Sequence, residues 1–352
     1  MEYRALGGTG LRVSTHCLGT MMFGAWGNPD VDGCVRIIHA AIDTGINFVD
    51  TADVYSNGES EEIVGKALKG RRDEVVLATK VHGTMGPGVN DQGNSRVWIM
   101  REVEESLRRL GTDHIDLYQI HRPERYTDIE ETLGALTDLQ RQGKIRYFGS
   151  STFPGWQMVE AQWVAERRGL GRFRTEQPPY SIFVRSIEHD VLEVAQRYGL
   201  GVLVWSPLNR GWLAGRYRRD HFDRAPESRA TRGAERADWL AVLYDESRPA
   251  VQRKLDIVEE LVRLADEAGT TLPRLGIAFV LAHPGVTSAI VGPRTMEQLE
   301  DLVEAADLRL DDATLDAIDQ LVPPGTMVDE HDGGFWPWWF EPGARRRTEL
   351  ER

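Results

Sequence analysis

The sequence predicts an α/β fold, and within that class a closed (β/α)8 TIM barrel with an N-terminal β-hairpin cap and loop insertions at its C-terminal face. Eight short, β-rich apolar runs recur along the 352 residues. Segments of helical periodicity separate them, the pattern of repeated βα units around a parallel sheet. Eight units in a chain of this length favour closure over an open doubly wound sheet.

The opening YRALGGTGLRVS reads as a hairpin over about 1–14, with a Gly-rich turn, that caps the N-terminal end of the barrel. Barrel strands are expected at HCLGT (16–20), INFVD (46–50), EVVLATK (74–80), IDLYQI (115–120), IRYFGSS (145–151), FRTEQ (173–177), GVLVWSP (201–207) and SAIVG (288–292). The first crossover helix, VDGCVRIIHAAIDTG, places Val35, Ile38 and Ile42 on one face and stops at Gly45. SRVWIMREVEESLRRLG repeats the design between an N-cap at Ser95 and a stop at Gly111, and IEETLGALTDLQRQGK closes at Gly143. The barrel is read over about 15–321 and the tail over 322–352, the whole chain forming one domain. An insertion at about 209–250, rich in Arg, Asp and aromatics, reads as a mobile lid or partly disordered loop on the face where barrel enzymes keep their active sites.

The net charge of -13, from 42 basic and 55 acidic side chains, argues against nucleic acid or anionic membranes as the main partner, since both need a basic footprint. No apolar run approaches the ~18 residues of a membrane span. Two cysteines, Cys17 and Cys34, and an N-terminus without an apolar signal stretch point to the reducing cytoplasm. Arginine supplies 37 of the 42 basic residues. Against that bias Lys80, at the end of VVLATK, is an amine whose pKa can be moved.

Asp50, Tyr55, Lys80 and His121 each stand just beyond an apolar run. In a barrel the C-terminal strand ends open on one face, so the four converge on a single mouth. Tyr and Lys ordinarily titrate near ~10 and ~10.4, so proton chemistry at neutral pH requires proximity and burial to pull these values down. Trp26 and Trp98, in loops after the first and third barrel strands, are candidate walls of a substrate pocket shared with Tyr55 and His121. His16 and His82 have neither a His-x-His pair nor a carboxylate cluster beside them, which argues against a metal-dependent barrel hydrolase.

Over nearly its whole length the chain resembles the aldo-keto reductase superfamily, near its branch of potassium-channel β subunits and bacterial homologues. GINFVDTADVYSNGESEEIVGKAL, VVLATK, DLYQIHRP, GKIRYFGSST, EQPPYSIFVR, VLVWSPLNRGWLAGRY and AIVGPRTMEQLEDL carry the likeness. The resemblance implies NADPH-dependent reduction of an aldehyde or ketone. Tyr55 is then the general acid, Lys80 lowers its pKa, Asp50 fixes Lys80, and His121 orients the carbonyl oxygen. It further implies that Ser151 and Gln177 bind the nicotinamide carboxamide, that Trp205 stacks on the ring, and that Ser206, Pro207, Leu208, Asn209 and Gly211 follow the pyrophosphate. Gly292, Arg294, Gln298 and Arg216 serve the adenosine phosphate, and Gly19, Thr20, Met21 and Asp50 complete the cofactor set.

The sequence departs from the family pattern at Thr152, where many members have Asn, and at Asp301-Leu302, where an acid is kept at the adenine and an amide lost. The tail FWPWWFEP has no family counterpart. It either folds over the mouth to line a pocket or packs against outer helices or a neighbouring subunit. Two functions follow from the resemblance: a carbonyl reductase acting on a small molecule, or a nicotinamide-binding regulatory subunit with slow turnover. A homo-oligomer is compatible with both.

Overall fold

The computed structural model describes residues 1–226, 228–231, 239–304 and 306–346. Two short strands, β1 (Tyr3–Ala5) and β2 (Arg12–Ser14), pair as an antiparallel hairpin. Eight parallel strands follow: β3 (His16–Gly19), β4 (Phe48–Asp50), β5 (Val76–Val81), β6 (Ile115–Ile120), β7 (Ile145–Ser151), β8 (Thr175–Gln177), β9 (Gly201–Val204) and β10 (Ser288–Val291). They close into a barrel in which β10 pairs with both β9 and β3. Strands β3, β9 and β10 end before their apolar runs do, β4, β5 and β8 begin two residues into theirs, and β6 and β7 coincide with them. One end shifts the other way: β5 carries one residue beyond Lys80.

The crossovers are helical. Helix α1 (Val31–Asp43) starts at Asp30, whose carboxylate accepts from Gly33 N at 3.0 Å. It buries Cys34, Ile37, Ile38, Ala41 and Ile42, so Val35 lies at the edge of the buried face rather than at its centre. After α2 (Glu59–Leu68), α3 (Arg96–Leu110) is capped by Ser95 and ends at Gly111. Asp128 caps α4 (Ile129–Arg141), and α5 (Gly155–Arg168) and α6 (Val191–Tyr198) continue the ring. Three further helices, Pro249–Glu267, Leu272–Ala282 and Met296–Glu304, flank β10, and Asp312–Leu321 follows.

The hairpin closes the N-terminal end. Leu6 and Val13 are buried in one cluster with Cys17, Phe48, Val76, Ala78, Leu117 and Leu203 from the barrel wall. Gly7 approaches β9 so closely that a Cβ there would lie 2.4 Å from Gly201 N, and its φ of +55° is in the left-handed region.

The insertion differs from the mobile lid its composition suggests. Residue 227 and residues 232–238 lie outside the described residues; the rest is built around a packed aromatic group. Trp212 and Tyr217 are buried with ring centroids 5.0 Å apart, Tyr244 stacks on Trp212, and Phe222 closes the group. Arg218 bonds Glu259 and Arg219 pairs with Asp256, tying the segment to helix Pro249–Glu267.

Candidate active site

Strand register builds the centre of the mouth. Asp50 pairs with Gly19 on one side and Ala78 on the other, while Lys80 pairs with Gln119. Lys80 is fully buried, and its Nζ donates to Asp50 Oδ2 at 2.6 Å, Thr51 O at 2.7 Å and Tyr55 Oη at 3.2 Å. Gln177 and Gln119 donate through Nε2 to Asp50 Oδ1 at 2.9 and 3.3 Å, so both carboxylate oxygens are engaged. His121 is held by its backbone N–H to Val81 O, and its ring meets the Tyr55 ring edge-on at 5.8 Å. The four predicted residues thus form one contact set.

Electrostatics correct one expectation. Burial raises the Tyr55 pKa, and the Lys80 ammonium only partly opposes it, so the phenol holds its proton rather than being acidified. Burial pulls Lys80 down, but Asp50 and Tyr55 outweigh it and the ammonium is retained. His121 lies well below its ordinary value, through burial first and then the charges of Arg122 and Lys80, which leaves a neutral imidazole with one N–H to donate.

Around this centre, Trp26 stands 6.2 Å from Tyr55 by ring centroids, as a pocket wall would. Trp98 is not in a loop: it lies in the first turn of α3, buried in the core cluster, because the Ser95 cap starts the helix before it. Thr20 donates to Asp50 O at 3.1 Å and fixes the turn after Gly19, with Met21 half-buried beyond it. Ser151 donates to Gln177 O at 2.8 Å. Trp205 follows β9, its indole faced by Arg122 at 5.7 Å and Arg210 at 5.4 Å. Gly292, Arg294, Gln298 and Asp301 sit on another stretch of rim after β10. There Gln298 Oε1 accepts from Arg294 N at 2.8 Å and Asp301 pairs with Arg274. Arg216 pairs with Asp223 at 3.4 Å.

Three observations bear on whether these residues fit a dinucleotide. All six described non-glycine residues with positive φ, Ser56, Asn57, Thr152, Ser206, Asn209 and Arg210, lie in loops at the C-terminal mouth, where backbone strain marks ligand sites. Trp205 Nε1 and Asn209 Oδ1 are buried with no partner among the described residues. The N-terminus of helix Met296–Glu304 carries Arg294 just before it, a suitable place for phosphate. The donor set and the loop backbone fit such a group.

The tail combines its two expected placements. Asp329 and Asp332, both buried, anchor it: Arg248 donates to Asp329 at 2.7 Å, Lys254 lies 2.6 Å from Asp332, and Arg210 lies 3.6 Å from Asp332. Gly334 then passes Trp205, with φ +68° and a position where a Cβ would lie 2.3 Å from the indole. Beyond it Trp339 packs on Trp156 of α5 at 5.8 Å, while Trp336 and Phe340 are 55% and 46% exposed. A cleft of about 450 Å³ opens beside the mouth rather than over Tyr55, between Glu124, Tyr126, Trp156 and Trp338.

Sequence reasoning missed Thr51 and Gln119, whose roles arise from register, and Arg122, which donates to Thr152 Oγ1 at 3.0 Å. It also missed Glu176, fully buried and pushed up to about 8 by burial, against hydrogen bonds from Ser150 and the Phe153 N–H.

Comparison with known proteins bears on the same residues. The model described as "Aldo/keto reductase family" matches residues 17–323. The "Uncharacterized oxidoreductase YrpG" of Bacillus subtilis (strain 168) is 42% identical, covering 94% of this chain and 99% of the relative. The "Probable voltage-gated potassium channel subunit beta" of Arabidopsis thaliana is 37% identical over 92% and 97%. The "Versiconal hemiacetal acetate reductase" of Aspergillus parasiticus is 34% identical over 95% and 99%. With a match that runs from the first barrel strand past the last, the chain belongs to the aldo/keto reductase family of oxidoreductases.

Proposed function

We propose that this chain is an NADPH-dependent reductase of aldehyde or ketone carbonyls, with Tyr55 as general acid. The observation that carries the reading is the single Lys80 ammonium bridging Asp50 Oδ2 and Tyr55 Oη. Reduction places negative charge on one oxygen, and donors already aimed at that position stabilise it without reorganisation. Tyr55 Oη gives its proton to that oxygen, and the His121 imidazole donates a hydrogen bond to it. Lys80 acts through Tyr55, stabilising the phenolate left behind, and Asp50 keeps Lys80 charged and in place.

Ser151 and Gln177 would hold the carboxamide end of the cofactor, Trp205 the ring, the 206–211 loop the pyrophosphate, and Arg294 with Arg216 the extra phosphate that favours NADPH over NADH. When bound, the reduced nicotinamide supplies the hydrogen and electron pair that the carbonyl carbon receives. The two buried, unpaired cysteines support a cytoplasmic setting.

The test is NADPH consumption against a panel of aldehydes, dicarbonyls and keto-sugars, with NADH in parallel. Tyr55→Phe should lower kcat roughly 10²- to 10⁴-fold and leave NADPH affinity within about twofold. Near wild-type turnover in that variant ends the acid assignment. Tight NADPH binding without turnover on any carbonyl moves the chain to a redox-sensing regulatory role, a reading with which the Arabidopsis relative's name is compatible.

A further inference from the structure

We infer that Arg122 is a specificity residue that recognises an anionic group, a carboxylate or phosphate, on the carbonyl substrate. This rests on the reductase reading and adds the chemical class of what is reduced. Arg122 directly follows His121, and its Nη1 reaches only neutral acceptors: His121 O at 2.8 Å, Thr152 Oγ1 at 3.0 Å and Ser151 Oγ at 3.5 Å. No carboxylate among the described residues lies within ion-pair distance of it, although the guanidinium is partly buried.

The surrounding charges do not neutralise it. Lys80 is matched by Asp50. Arg210, also over the Trp205 ring, shares Asp332 with Lys254. Glu176 is the carboxylate whose charge acts on Arg122, and it makes no ion pair with it; burial raises it to about 8. Arg122 therefore brings to the mouth a positive charge that no carboxylate among the described residues pairs with, beside the two residues that would face the carbonyl oxygen. Burial also lowers the Arg122 pKa, as expected of a guanidinium held away from water without a counter-charge.

An anion supplied by a ligand completes this set, and a guanidinium fork suits the planar geometry of a carboxylate or the faces of a phosphate. The cofactor's phosphates are the competing source. Their expected partners, the 206–211 loop, Arg216 and Arg294, lie on other loops. Arg122 instead touches the carboxamide-end residues Ser151 and Thr152, on the reacting side of the site.

The experiment compares 4-carboxybenzaldehyde with benzaldehyde as substrates of the wild type, Arg122→Met and Arg122→Lys, and measures benzoate binding to the NADP⁺-loaded proteins by calorimetry. NADPH affinity, from tryptophan quenching, shows that each variant is folded and cofactor-competent. Expected are a wild-type kcat/KM at least tenfold higher for the carboxylated aldehyde, and an Arg122→Met loss at least tenfold greater for that substrate than for benzaldehyde, mainly in KM. Arg122→Lys should recover part of the loss. Benzoate should bind the wild type and fail to bind Arg122→Met. Equal losses on both aldehydes, or benzoate binding indifferent to residue 122, overturn the assignment. So does weakened NADPH affinity in Arg122→Met with an unchanged substrate ratio, which makes the cofactor its counter-ion. If neither aldehyde is turned over, the reductase reading is decided by the wider carbonyl panel, and benzoate binding still decides the role of Arg122.

Discussion

Replacing Asp50 by Asn keeps the shape of the mouth and removes one charge from a buried pair 2.6 Å apart, in which Lys80 is fully enclosed. Breaking such a pair from one side leaves an uncompensated buried ion and costs about 3–5 kcal/mol at pH 7. Asn still accepts one bond from Nζ, which favours the lower end of that range. An unfolding entropy of ~2.1 cal/mol/K per residue makes one kcal/mol worth roughly 1.4 °C in a chain of this length, so Tm should fall by about 4–7 °C.

The pH dependence has a definite sign. In the wild type the folded Lys80 pKa is raised, because Asp50 and Tyr55 outweigh burial. Its contribution is therefore complete below the unfolded value near ~10.4 and is lost as pH rises through the folded value. In the variant burial prevails and the folded value drops below the unfolded one, so the penalty at pH 7 fades as pH climbs towards the unfolded value. The Tm difference between the two proteins should narrow steadily from pH 7 upward, followed by circular dichroism in matched buffers. A difference under about 1 °C at pH 7, or one that widens with pH, refutes the view that Asp50 is there to hold a charged lysine.

Other expected outcomes test the rim. Arg294→Ser should weaken NADPH binding roughly 10- to 100-fold, as loss of a charged hydrogen bond to phosphate implies, with little change for NADH; equal effects on the two cofactors would remove Arg294 from the phosphate site. Gly334→Ala forces a Cβ to 2.3 Å from the Trp205 indole at φ +68°. It should cost about 1–3 kcal/mol and alter Trp205 fluorescence, whereas Gly333→Ala meets only Met327 Sδ at 3.7 Å and serves as control. Matching spectra from the two alanine variants would show that the tail does not press on Trp205.

The barrel and the four central residues were legible because they stand at run ends, and a strand's C-terminal end fixes the face on which a residue emerges. What the sequence could not show is lateral. Gln119 serves Asp50 only because register sets it beside Lys80, and Thr51 enters through a backbone carbonyl that any residue would provide. Distance past an apolar run suggests a loop at Trp98, but the Ser95 cap begins a helix before it. The insertion looked mobile from its Arg and Asp content, yet Trp212, Tyr217, Phe222 and Tyr244, at no regular spacing, find one another only in three dimensions. Lys80 was expected to acidify Tyr55; burial, which no spacing reveals, reverses the net direction.

The tail separates anchoring from display. Asp329 and Asp332 fasten it with buried charge, and the exposed Trp336 and Phe340 are carried beyond the anchor without contributing to it. Exchanging those two rings should therefore come at little cost to the barrel. Cutting the chain at residue 323, where the family match ends, would leave Lys254 buried without a carboxylate and uncover Trp205. The stretch beyond the family match is thus fastened to the barrel by buried charge while two of its rings stay open to solvent.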